Sequence, residues 1–388
     1  MKWTKIFLVN LCVFIFLMGL LLLTPPLTFY SRQFIVEAMN FAGMRQDIAL
    51  RSSHALPNYA DFSWAAQYDE ELANLRQTYH DYIIWRRDDF AGETITVQDG
   101  LRFTVNPDAP QQGIETWFFG GSTMWGTGND DTNTIPSVFS QMTSIPSINF
   151  GETSYTSRQS LAMLTNAYIE RDLSNTERLI VFYDGVNDVG HWCRSEVGGL
   201  HTNRQDQIRD ALRVAQQPKW SFRRTFEQVT QFVSRITGGK SNPSVDVVTK
   251  SRFDCASSQS KAERVARQTV NTWLAARALV EGKGDRFVAV LQPVASVGTP
   301  NLDHLVFTSA TQDLLNQYPK AYPLIRKFAK ESGVAFIDLS HGYDGDELAY
   351  IDFCHVSPQG HHKIVPMIIA ALRDRGMLPA GESPRRFQ

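Results

Sequence analysis

Two short segments near opposite ends of this 388-residue chain carry the residue types of an activated nucleophile. Gly120-Gly121-Ser122-Thr123 follows the apolar run Thr116-Trp117-Phe118-Phe119, which places a serine at the carboxyl end of a buried strand. Glycines there allow the sharp, close backbone turn that leaves a hydroxyl exposed at a sheet edge. Asp352-Phe353-Cys354-His355 puts a carboxylate three residues before an imidazole, so both can point to one side of a single turn. The acid can then orient the histidine that takes the proton from the serine. Such a set transfers acyl groups through a covalent acyl-serine and needs no cofactor. A phosphate-loop reading of the glycines fails, because no Gly-Lys-Ser/Thr follows and Gly126-Thr127-Gly128-Asn129 lacks the dinucleotide spacing.

Donors for a developing oxyanion stand between these segments. Gly151 follows the run Ser147-Ile148-Asn149-Phe150, and Gly185-Val186-Asn187-Asp188 follows Leu179 to Tyr183. A backbone N–H and an asparagine amide both stay neutral while charge grows on a carbonyl oxygen. Taken singly, Gly151 also reads as a turn residue, and Asn187 with Asp188 as a loop or helix cap. His361 and His362 beside Asp352 raise a metal site, but adjacent helical residues point about 100° apart, which is poor for joint ligation. No metal is expected. Trp125, Tyr183, Asp184 and Trp192 lie near enough to line a pocket, although aromatic residues after strands more often pack.

The elements that must position these residues follow from the apolar periodicity. Strands are expected at 116–120, 146–150, 178–183, Arg286 to Leu291 and Val334 to Leu339. Helices are expected at 134–143, 157–171, 310–331 and from Ser357 to Arg373. Continuous apolar strands alternating with helices predict an α/β fold, a three-layer α/β/α sandwich with a mainly parallel five-stranded sheet. Sites in such sheets lie beyond the carboxyl ends of the strands, where Ser122, Gly151 and Asn187 all fall. Upstream, Tyr68 to Arg87 reads as a helix, and Thr94 to Val105 as a hairpin turning at Asp99-Gly100.

The four segments, in chain order, resemble those of the SGNH, or GDSL-like, hydrolases. That family carries a serine after Gly-Asp, a glycine, an asparagine in Gly-x-Asn-Asp, and Asp-x-x-His. The matches here are Gly120-Gly121-Ser122, Gly151, Gly185-Val186-Asn187-Asp188 and Asp352-Phe353-Cys354-His355, within about residues 115 to 375. The resemblance implies a flavodoxin-like fold, Ser122 as nucleophile, His355 as general base and acid, and Asp352 as the orienting carboxylate. It also implies an oxyanion hole made by the Ser122 and Gly151 N–H groups and the Asn187 amide. Gly121 departs from the family, which has aspartate before the serine; the departure bears on subfamily more than on chemistry.

Composition bounds the rest. With 43% hydrophobic and 20% charged residues the chain can build a large core, and a net charge of −2 gives no reason to expect nucleic acid as a partner. Lys2 and Lys5 precede the uncharged run Ile6 to Leu23. That run exceeds a signal-peptide core and no small-residue cleavage site follows, so a single-pass anchor in the inner (cytoplasmic) membrane with an exported, periplasmic catalytic part is expected. A disulfide between Cys193 and Cys255 is expected on that side, with Cys354 as a small buried residue. Residues 194–268 interrupt the strand–helix alternation with 14 Lys or Arg against 7 Asp or Glu, and read as an insertion that is either a lid over the site or a solvated face of helices.

The expected organisation is an anchor at 1–26, a helix and hairpin preamble at 27–112, a hydrolase domain at 113–376 containing the insertion, and a tail at 377–388. The expected activity is hydrolysis of acyl esters, O-acetyl groups of envelope polysaccharide being a substrate class that fits the location. An O-acyltransferase using the same triad and a silent polysaccharide-binding or assembly protein are the alternatives.

Overall fold

The strand that runs into Ser122 lies inside an eight-stranded mixed sheet. The computed structural model describes residues 53–108, 113–171, 173, 176–198 and 253–379, with Val13 from the amino-terminal run. Its elements begin with α1 (Ala65–Asn74), β1 (Gln77–His80), β2 (Ile84–Arg87), β3 (Phe90–Ala91), β4 (Thr96–Gln98), β5 (Leu101–Arg102) and β6 (Ile114–Gly120). They continue through α2 (Ser122–Trp125), α3 (Ile135–Thr143), β7 (Ser147–Asn149), α4 (Ser157–Glu170), β8 (Glu177–Asp184), α5 (Val186–Trp192) and α6 (Gln259–Glu281). The last are β9 (Arg286–Leu291), α7 (Ser309–Leu315), α8 (Tyr318–Ser332), β10 (Phe336–Asp338) and α9 (Pro358–Asp374).

The sheet order is β10-β9-β8-β6-β7-β5-β4-β3, while β1 and β2 pair as a separate hairpin. Strands β6 to β10 are parallel and the pairings of β3, β4 and β5 are antiparallel. Numbered in chain order, the five parallel strands run 2-1-3-4-5, the flavodoxin-like doubly wound order. Its switch point lies between the first and third strands, here β6 and β8. Leu179 to Tyr183 of β8 and Val288 to Leu291 of β9 are wholly buried. Burial of side chains on both faces requires helices on both, and the helices form two groups, α4, α6 and α8 in one and α3 and α9 in the other.

Several elements differ from the sequence reading. The sheet has eight strands rather than five, because the hairpin of β4 and β5 docks antiparallel on β7 through Arg102 and Asn149. Its turn residues Asp99 and Gly100 both have positive φ, +52° and +67°, as a type I′ turn demands. The helix expected from Tyr68 to Arg87 is α1, which ends at Asn74; the remainder is the β1–β2 hairpin, rich in the aromatic and β-branched residues that suit strands. The helix expected at 310–331 is broken into α7 and α8 at Asn316-Gln317. Helix α6 starts within the expected insertion. Its buried Ala262, Val265, Ala266, Val270, Trp273, Ala276 and Val280 recur at helical spacing against the core.

Glu71 on α1 fixes the start of the hairpin of β4 and β5. Its carboxylate accepts the N–H groups of Glu93, Thr94 and Ile95 at 2.7, 3.0 and 2.9 Å, and the Thr94 hydroxyl at 2.7 Å. Burial pushes this carboxyl upward, but the hydrogen bonds from Gln67, Thr94 and Glu93 outweigh it and hold the group at about 2.

The Cys193–Cys255 disulfide is present, with its Cα atoms 5.2 Å apart, and Cys354 is buried outside it. Ile6 to Leu23 apart from Val13, the middle of the insertion at 199–252 and the tail from 380 lie outside the described residues, and so do the anchor and the overhang expected there. Among the described residues no helix is long and apolar enough to cross a membrane.

Candidate active site

Three of the parallel strands lead from their carboxyl ends directly into parts of the site. β6 ends at Gly120 and the chain turns into α2, whose first residue is Ser122. The loop after β7 carries Gly151, and α5, which opens directly after β8, carries Asn187. Asp352 and His355 lie in the loop before α9, closed by the pairing of Tyr350 with Val356 and by the Ile351 N–H donating to the His355 carbonyl at 2.9 Å.

Ser122, His355 and Asp352 form one hydrogen-bonded chain. Ser122 Oγ lies 2.6 Å from His355 Nε2, and His355 Nδ1 lies 2.6 Å from Asp352 Oδ2. A carboxylate only accepts, so Nδ1 carries the ring proton and Nε2 is left to accept from the serine. The other carboxylate oxygen, Oδ1, accepts the N–H groups of Cys354 and His355, both at 2.8 Å. Burial pushes the Asp352 carboxyl upward, yet the charge of His355 and these hydrogen bonds bring it down to about 2. The side chain of His355 is 12% exposed and that of Asp352 32%, so the imidazole is shielded while its acid keeps an edge in water.

Asn187 stands beside this chain. Its amide donates through Nδ2 to the Tyr155 carbonyl at 2.8 Å, and a Cβ on Gly121 would lie 2.2 Å from the same nitrogen. The Ser122 N–H, in the first turn of its helix, has no intrahelical acceptor. Gly151 is held differently from the other two expected donors, since its N–H donates to Asn149 Oδ1 at 2.9 Å. A side chain there would strike Trp125 N at 2.6 Å, so Gly151 lets the loop press against the helix that bears Ser122.

Residues that the sequence did not single out brace the histidine loop. Gln292, directly after β9, donates through Nε2 to Thr123 Oγ1 at 2.7 Å and to the Cys354 carbonyl at 3.4 Å. Its own carbonyl accepts the Tyr322 hydroxyl at 2.9 Å. One side chain thus joins the serine turn to the histidine turn. The available signal was its position, a polar residue directly after an apolar strand.

Other candidates fall away from the chemistry. Trp125, Tyr183, Asp184 and Trp192 are all buried and pack rather than line a pocket. Asp188 is the cap and strut that its position allowed, accepting the Gly185 N–H at 3.2 Å and the Ser157 hydroxyl at 2.8 Å. Burial raises both Asp184 and Asp188, the latter to about 6. His361 and His362 both turn to Asn133, at 2.7 Å to its carbonyl and 2.9 Å to its side-chain oxygen. Among the described residues only Asp352, Cys354 and His355 present metal-ligating atoms together, within 4.8 Å of one another. Both imidazole nitrogens in that set are already engaged by Asp352 and Ser122.

No family model matches the chain, and no curated protein matches it. Among solved structures it is similar to a member of the lipolytic protein G-D-S-L family from Veillonella parvula, at 11% identity and a TM-score of 0.38 over 66% of this chain and 97% of the other. A carbohydrate acetylesterase family member from Sinorhizobium meliloti is similar at 15% identity and a TM-score of 0.36, over 67% of this chain and 99% of the other. An extracellular lipase from Streptomyces rimosus is similar at 14% identity and a TM-score of 0.38, over 66% and 99%.

Proposed function

We propose that this protein is a serine esterase that hydrolyses acyl esters, with Ser122 as nucleophile, His355 as base and acid, and Asp352 as orienting carboxylate. The observation that carries the reading is the unbroken Ser122–His355–Asp352 chain with 2.6 Å at each link. Ser122 attacks the ester carbonyl while its proton passes to His355 Nε2. The imidazolium, stabilised by ionised Asp352, then protonates the departing alkoxide. Water attacks the acyl-serine with His355 as base, and the acid and regenerated serine leave the cycle balanced. The Asn187 amide and the Ser122 N–H meet the tetrahedral oxyanion, and Gly151 joins them once its N–H turns from Asn149 Oδ1.

The proposed setting is the exported face of the inner membrane, with Ile6 to Leu23 as anchor. The Cys193–Cys255 disulfide supports an oxidising compartment. O-acetylated envelope polysaccharide is the proposed substrate class; its support is that setting. With a sugar hydroxyl in place of water the same steps give an O-acyltransferase. The exported part should hydrolyse para-nitrophenyl acetate and release acetate from acetylated glycans. A folded protein that turns over neither ester would return the chain to a binding or assembly role.

A further inference from the structure

The one departure from the family pattern, Gly121, stands where a side chain has almost no room. Its φ of −84° and ψ of −156° are open to any residue, so its backbone does not call for glycine. A Cβ, however, would lie 2.2 Å from Asn187 Nδ2 and 3.4 Å from the Tyr155 carbonyl oxygen, in the path of the hydrogen bond between them. We propose that Tyr155 and Gly121 are positioning residues for the Asn187 amide, and that the β1–β2 hairpin, upstream of the parallel sheet, helps to set the oxyanion site. The proposal rests on the reading of Asn187 as an oxyanion donor.

An asparagine amide carries two N–H bonds on one nitrogen. With one directed at the Tyr155 carbonyl at 2.8 Å, rotation of the amide is arrested and the second N–H has a fixed direction. A donor fixed before the reaction costs no reorganisation as charge develops, which is what makes such a donor effective. The carbonyl that does this is itself held. The Tyr155 ring is 1% exposed and meets the Trp85 ring edge to face, at 5.5 Å and 74°. Its hydroxyl donates to the Trp85 carbonyl on β2. Burial, then the nearby charge of Glu152, pushes the phenol well above its ordinary value, so it remains a donor wherever the enzyme works.

The hairpin grips the same loop, and the helix α4 that follows it, at further points. The Trp85 indole donates to the Thr153 carbonyl at 3.2 Å, the Arg87 N–H to Glu152 Oε2 at 2.8 Å, and Gln159 Nε2 to the Ile83 carbonyl at 3.2 Å. Hairpin, Tyr155 and Asn187 therefore form one connected path ending at the bare α-carbon of Gly121.

The test is a pair of double-mutant cycles on para-nitrophenyl acetate, using the full-length chain. Gly121→Ala should lower kcat about 100-fold and Tyr155→Phe about 10-fold, each with KM kept within about 2-fold. In an Asn187→Ala background both losses should shrink to within about 2-fold, because the amide they orient is gone. A merely structural role would not produce that collapse. Losses that multiply in the double variants, or that appear in KM, overturn the proposal. Should Gly121→Ala fail to fold, the Tyr155→Phe and Asn187→Ala cycle decides alone. An Asn187→Ala protein with unchanged kcat would instead sink the oxyanion reading itself.

Discussion

Asp352 stays ionised wherever an imidazole can act as a base, because its carboxyl sits at about 2. Asp352 should therefore add no ionisation of its own to the acid limb of kcat/KM; protonation of its carboxylate above pH 4 would contradict the arrangement. Asp352→Asn should lower kcat about 10,000-fold by leaving the ring in the wrong tautomer. Asn187→Ala should lower kcat about 100- to 1,000-fold at nearly constant KM, since on the proposed reading its amide meets charge present only in the transition state. Removing the Gln292 amide, as in Gln292→Leu, should cost about 10-fold in kcat by loosening the contact between the serine and histidine turns. The residues proposed to do chemistry could be picked out because serine, asparagine and Asp-x-x-His are distinctive at strand ends. Those that hold them could not: Tyr155 and Gln292 are common residue types whose partners, Trp85 and Thr123, lie 70 and 169 positions away in sequence.

The parallel strands could be read from the sequence because burial on both faces makes each an apolar run. The β1–β2 hairpin could not, since its strands mix charged and aromatic residues and its partner is a loop about 70 positions further on. Helix α6 was missed, because its buried stripe begins within the charged stretch that read as an insertion. At this scale stability and pH are linked through two opposed sets of carboxyls. Glu71 is depressed to about 2, so the stability it contributes is present above its unfolded value near 4 and is lost as pH falls from about 4 to 2. Glu71→Ala should cost about 2 to 4 kcal/mol at neutral pH and flatten that acid loss, as measured by denaturant unfolding across pH. Asp188 has the opposite sign. Raised to about 6, it contributes stability that is present below about 4 and is lost as pH rises through 6. Asp188→Asn should flatten the decline on that side, and an unchanged pH profile would contradict the burial argument.

Among the described residues, the candidate site lies at the switch point of one sheet, which the β4–β5 hairpin extends, and the disulfide closes a loop beyond it. The disulfide joins residues separated by 62 positions, a loop whose closure is worth about 4 kcal/mol in the chain-entropy account. Cys193→Ser should lower stability by up to that amount without touching the triad, so kcat measured well below the melting temperature should hold. For the proposed anchor, mass spectrometry of membrane fractions should find an intact amino terminus. A mature terminus between residues 24 and 45 would replace the anchor with a cleaved leader and leave export standing.

The central claim is that Ser122 is the nucleophile, activated by His355. Its most direct test is intact-mass and peptide mapping after reaction with a serine-directed fluorophosphonate, on the wild-type protein, Ser122→Ala and His355→Ala, each checked for an unchanged melting temperature. One adduct per chain on Ser122 in the wild type, none in Ser122→Ala, and labelling slowed by about three orders of magnitude in His355→Ala is the predicted result. An adduct on another residue, or ester hydrolysis surviving in folded Ser122→Ala, would contradict it.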